Sequence, residues 1–153
     1  MNETNKTATF RSVKGKVVIV TGASRGIGKA VAEVYGANGM KVVCAARSVE
    51  QGQAVADAIC GNGGEAVFVQ TDCSGAKQMK KLVDTAVSQY GRLDGMVNNA
   101  GIGQGGTPLH EYKMEDYENI FDLNSKGVFA GMKYAAEAIL RSHSQGGFLI
   151  NVA

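Results

Sequence analysis

Five short apolar runs, each close to strand length, alternate strictly with longer stretches of helical periodicity, and no other feature narrows the fold as much. The first, KVVIV at 16–20, is continuous and β-branched, the pattern of a strand buried on both faces. KVVCAA at 41–46 and EAVFVQTD at 65–72 read the same way. LDGMVNNAG at 93–101 and GGFLINVA at 146–153 supply a fourth and a fifth strand.

The intervening stretches carry helix signals. Ile27, Ala30, Val31 and Val34 predict an apolar stripe ending near Gly39. Ser48 and Gln51 have the spacing of a capping box for a helix over 49–60, which GNGG terminates. Met79, Leu82, Val83, Ala86, Val87 and Tyr90 mark a third helix, stopped by Gly91. After a glycine-rich loop around Pro108, Glu115 and Asp116 favour a helix start by complementing the N-terminal dipole. That helix is expected to run to about Ser142, with an irregularity near Asn124–Gly127. A βαβαβαβαβ order calls for a parallel sheet with right-handed crossovers. The predicted fold is α/β, a Rossmann-type doubly wound parallel sheet of order 3-2-1-4-5, truncated after strand 5. Ligands of such sheets bind at the carboxyl ends of the strands, at the switch between strands 1 and 4. Glycine-rich segments follow both of those strands.

Composition excludes several alternatives. A length of 153 residues suits one domain, with residues 1–14 as a polar tail and 15–153 as the folded unit. No apolar run approaches the roughly 18 residues of a membrane span. The start, MNETNKTATFRSVKG, has no signal-peptide core, so a cytoplasmic location is expected. A net charge of +2 is too small and dispersed to make nucleic acid the main partner. Cys44, Cys60 and Cys73 form no CxxC and read as reduced thiols. His110 and His143 lack neighbours at metal-ligand spacing, so no metal is expected.

TGASRGIG, at 21–28, sits where strand one becomes helix one. Gly22 permits a tight turn, while Gly26 and Gly28 allow close approach of a ligand and of the sheet, so that free helix amides can hold a pyrophosphate. The spacing is G-x-x-x-G-x-G rather than the common G-x-G-x-x-G. Together with NNAG at 98–101, Asp72 after strand three, and NIFDLNSKGVF in the long helix, it resembles the classical branch of the short-chain dehydrogenase/reductase family, from about Lys14 to Ala153. The resemblance implies an NAD(P)-binding domain whose glycine loop (Gly22, Ser24, Arg25, Gly26, Ile27, Gly28) binds the cofactor. It implies that Asp72 contacts the adenine, and that Asn98, Ala100 and Gly101 support the sheet and line the cleft. NAD-binding sheets usually carry an acid at the end of strand two. Here Ala46 stands there and Arg47 follows, which suits a 2′-phosphate and predicts NADP(H) over NAD(H), with Arg25 as a second cation.

The family transfers hydride between the nicotinamide and a small carbonyl or alcohol substrate. It uses a serine, an asparagine and a Tyr-x-x-x-Lys pair on one helix face. An unperturbed tyrosine titrates near 10, so the neighbouring cation is a physical requirement. Four positions after Tyr35, Tyr90, Tyr112, Tyr117 and Tyr134 stand Gly39, Asp94, Asp116, Phe121 and Ala138, none of them lysine. Only Asn124 matches the catalytic set, at the position that orients a relay water. In the family the serine follows soon after the strand matching GGFLINVA, so the chain is expected to be an incomplete domain, inactive alone. An alternative is a non-catalytic nucleotide-binding module that associates with a full-length relative. Full-length relatives are homo-oligomeric by the same resemblance. This chain, with strand five as an apolar sheet edge, is expected to be marginally stable and prone to aggregate. The loop IGQGGTPLHEY at 102–112 is expected to form one wall of a substrate pocket.

Overall fold

The computed structural model describes residues 13–103, 105–142 and 146–153. Residues 1–12 of the expected tail, Gln104 and His143 lie outside that set. Five strands form one parallel sheet: β1 (Val17–Thr21), β2 (Lys41–Ala46), β3 (Glu65–Gln70), β4 (Gly95–Asn98) and β5 (Phe148–Asn151), in the order β3-β2-β1-β4-β5. The crossovers carry α1 (Gly26–Ala37), α2 (Val49–Gly61) and α3 (Ala76–Tyr90). The last connection contains a short 3-10 turn (Leu109–Glu111), α4 (Met114–Phe121), a π-helical segment (Asp122–Gly127) and α5 (Val128–Arg141). The irregularity expected near Asn124–Gly127 is this π-helical stretch.

Every residue of β1 is buried because both faces of the sheet are covered. Val17 and Ile19 point into a core completed by Met79 and Leu82 of α3 and Ile139 of α5. Val18 and Val20 point the other way, onto Ala32 of α1 and Val55 and Ile59 of α2. At the amino ends of β1 and β4, buried Asp94 accepts hydrogen bonds from the Val17 amide (2.9 Å) and from Arg92 Nε (2.8 Å). Arg92 Nη2 also bonds the other carboxylate oxygen of Asp94.

Two local expectations need correction. The apolar stripe predicted for α1 is its buried face only at Val31, which packs half-buried against the core; Ile27, Ala30 and Val34 are exposed, and the fully buried residues are Gly28, Ala32 and Gly36. The helix axis lies too near its neighbours for larger side chains; a Cβ on Gly36 would collide with Ile59. Ser48 is the N-cap residue of α2, but no side-chain cap bond forms, so the capping box is absent. Both Ser48 and Gln51 instead line the cleft described below. The third, fourth and fifth strands are also shorter than their apolar runs, because pairing stops where the chain turns toward the next helix. Among the described residues strand β5 pairs with β4 alone and leaves Leu149, Ile150 and Val152 partly exposed. No helix among the described residues is long and apolar enough to cross a membrane.

Candidate functional site

The segments that follow β1, β2, β3 and β4 enclose one cleft of about 480 Å³, within the usual range for small-molecule sites. Its floor is organised by Thr21, the last residue of β1, which is 1% exposed. The Thr21 hydroxyl donates to Val97 O (3.3 Å) and accepts from the amides of Asn99 and Ala100 (3.0 Å each). In return, Asn99 Nδ2 donates to Thr21 O (3.0 Å) and Gly22 O (3.4 Å). These bonds tie together the ends of two adjacent parallel strands where backbone pairing has stopped.

That tie requires glycine at Gly22, whose φ is +66° and whose added Cβ would lie 2.9 Å from Asn99 Nδ2 and 3.0 Å from Ala100 Cα. A Cβ on Gly28 would strike the Gly22 carbonyl, so Gly28 packs the helix onto the turn rather than lining the cleft. Gly26, at φ +55°, lines the cleft, and a Cβ there would meet nothing within 4 Å. Helix α1 therefore begins at an open space, with no acidic residue in its first turn and no side-chain cap from Arg25. First-turn amides lack intrahelical partners and carry the positive end of the helix dipole, so this space favours an anion.

Ser24, Arg25, Ile27 and Arg47 also line the cleft. Neither arginine belongs to an ion pair among the described residues. Buried Ala46 closes β2, so no carboxylate competes at that strand end. The Arg47 carbonyl accepts a hydrogen bond from Gln70 Nε2 (3.2 Å). Asp72 is fixed from two sides: its Oδ1 accepts from Ser74 N (3.1 Å) and Oγ (2.8 Å), and its amide donates to Gln78 Oε1 (2.8 Å). Cys73 lies against the cleft with its thiol pushed up to about 12, chiefly by burial and next by the Asp72 carboxylate.

Of the NNAG segment, Ala100 and Gly101 line the cleft, whereas Asn98 faces away from it. Asn98 Nδ2 donates to Asn151 Oδ1 (2.9 Å) across the β4–β5 pair, while its buried Oδ1 has no hydrogen-bond partner among the described residues and sits where a Cβ on Gly131 would be. Asn124 does not line the cleft; its neighbour Leu123 does. Asn124 Nδ2 donates to Ile102 O (2.8 Å), and its Oδ1 accepts from Ile102 N (3.0 Å), clamping the loop after β4 to the π-helical segment. No tyrosine or lysine is among the described residues that line the cleft.

Reasoning from sequence missed the roles of Thr21, Asn99, Gln51 and Gln70. For Thr21 a signal was available: a hydroxyl closing an otherwise apolar, fully buried strand has to be hydrogen-bonded. The role of Gln70 has no such signal, because it depends on the register of β3 against β2 and on where their backbone ladder stops.

The profile for short chain dehydrogenase matches residues 16–153. Glucose 1-dehydrogenase 2 of Bacillus subtilis is 38% identical over 141 residues, covering 92% of this chain and 55% of the relative. The 3-oxoacyl-[acyl-carrier-protein] reductase of Synechocystis is 42% identical over 142 residues, covering 92% of this chain and 56% of that one. A metagenomic short-chain oxidoreductase solved in complex with NADP superposes with a TM-score of 0.86 at 36% identity, over 92% of this chain and 63% of the other. The chain spans about half the length of the curated relatives it matches. Profile, relatives and fold agree on one assignment: the chain belongs to the short chain dehydrogenase family.

Proposed function

We propose that residues 15–153 form the NADP(H)-binding part of an oxidoreductase, whose complete protein transfers hydride between the nicotinamide and a small carbonyl or alcohol substrate. The observation that carries this reading is a pair of arginines, Arg25 and Arg47, on a cleft whose β2 end offers no carboxylate. Charge-assisted bonds from guanidinium groups suit a 2′-phosphate, which an acid at that position would repel. The open space at Gly26 and the uncapped start of α1 fit a pyrophosphate, so the residues present suit the dinucleotide. When bound, the nicotinamide would give or accept the hydride. The chain's own residues orient the dinucleotide: the Thr21–Asn99 tie holds the glycine turn, and the Asn124 clamp holds the loop after β4.

A cytoplasmic location goes with the three unbridged cysteines. Isothermal titration tests the cofactor assignment: NADPH is expected to bind at least tenfold tighter than NADH, about the gain of a charged hydrogen-bonding pair. Equal affinities would refute it. Oxidation of NADPH with ketones or aldehydes by the purified 153-residue chain would show that it is active alone.

A further inference from the structure

We propose that Gln70 is a positioning residue that sets the preference for the 2′-phosphorylated dinucleotide by fixing the main chain of Arg47; this rests on the cofactor reading above. Strands β2 and β3 pair in register up to Ala46 and Gln70. One further backbone rung follows, from the Thr71 amide to Ala46 O (2.9 Å). Beyond it no backbone rung joins the two strands among the described residues, and none of their amides donates to the carbonyl of Arg47. The Gln70 side chain supplies that donor at 3.2 Å, extending the ladder by one residue.

The position of this bond matters more than its strength. Arg47 lies between the last rung of β2 and Ser48, the N-cap of α2, whose carbonyl accepts from Gly52 N (3.0 Å). With Ala46, Arg47 and Ser48 each holding a bond through the carbonyl, the turn that carries the guanidinium is fixed at three consecutive residues. An arginine side chain loses much rotamer freedom on binding, and a fixed base limits how much more must be ordered. Gln70 does not line the cleft, so any effect it has on a ligand passes through Arg47. It is exposed on an edge strand, so replacing it opens no core cavity.

The test is a set of isothermal titrations of the 153-residue chain with NADPH and NADH. Gln70→Met keeps the length of the side chain and removes the donor. It is expected to raise the NADPH Kd about threefold to tenfold, the loss of one ordinary hydrogen bond, and to leave the NADH Kd unchanged. In an Arg47→Ala background, Gln70→Met is expected to change neither, because the two residues act as one unit. NADH binding reports that the variant is folded. Should Gln70→Met fail to fold, Gln70→Glu also removes the donor and is expected to lower NADPH affinity at least as much. Equal weakening of both dinucleotides, an undiminished effect in the Arg47→Ala background, or no change in NADPH affinity would overturn the role of Gln70. A wild-type chain without NADPH preference, or one indifferent to Arg47→Ala, would instead overturn the cofactor reading itself.

Discussion

Three cysteines that are equivalent in the sequence occupy three different environments. Cys44 lies in the core between the sheet and α1 and α2, Cys73 in the core on the other face, and Cys60 is exposed on α2. Burial pushes the Cys44 and Cys73 thiols from 9.0 up to about 12. A thiol whose pKa is raised by folding stabilises the native state fully below its unfolded value, and loses that contribution as pH climbs through the folded one. Thermal melts are therefore expected to show a Tm that declines as pH rises from about 9 toward 12, more shallowly in the Cys44→Ala, Cys73→Ala double variant. A Tm independent of pH over that window would contradict the placement of these thiols. At pH 8, a thiol reagent is expected to label Cys60 in the native chain and the other two only on unfolding. The sequence distinguished none of this, because exposure of a cysteine depends on what packs over it.

At the scale of elements, buried strands were the most legible feature, since a strand covered on both faces must be apolar throughout. Helix α1 shows where periodicity misleads. Ile27 and Val34 avoid the interface, Val31 and Tyr35 pack at its margin, and the closest contact is made by Gly28, Ala32 and Gly36, which carry almost no hydrophobic signal. The interlock of Gly36 with Ile59 joins α1 to α2 and can be probed by substitution. Gly36→Ala forces overpacking and is expected to cost about 1–3 kcal/mol, while Ile59→Ala leaves a cavity and costs about 2–5 kcal/mol. In the double variant the new methyl group partly fills that cavity, so denaturant unfolding is expected to show a combined loss smaller than the sum. Strict additivity would mean that the two side chains do not meet. The long helix gives the opposite lesson: its irregularity was readable, but the Asn124–Ile102 clamp beside it was not, because a loop 22 residues away supplies the partner.

For the molecule as a whole, the sheet has one edge at β3 and the other at β5. Lys41 and Glu65 pair across β2 and β3 at 3.3 Å, leaving charge near the first edge. At the second, Leu149, Ile150 and Val152 are partly exposed; elsewhere, Phe121 and Phe129 on either side of the π-helical segment are more exposed still. An apolar edge of unpaired backbone is a template for strand pairing. Size-exclusion chromatography of the chain is expected to show concentration-dependent association, shifted toward monomer by Ile150→Lys. A monodisperse monomer across the concentration range would refute this. The overall topology was legible because alternation of strand and helix leaves few ways to connect a parallel sheet. So was the apolar edge at β5, since that order places strand five last; the exposure of Phe121 and Phe129 was not, because it depends on how the layers assemble.

Four separate crossover connections contribute to the walls of the cleft, so whatever occupies it is in contact with chain segments distant in sequence and acts as a removable crosslink between them. Such an occupant binds the folded state and not the unfolded one, and free ligand at a hundredfold excess over Kd raises stability by about 2.7 kcal/mol. Against the roughly 5–15 kcal/mol of a typical folded domain that is a large share. The abundance of this chain in a cell would then follow the supply of the small molecule it holds, independently of any reaction it takes part in.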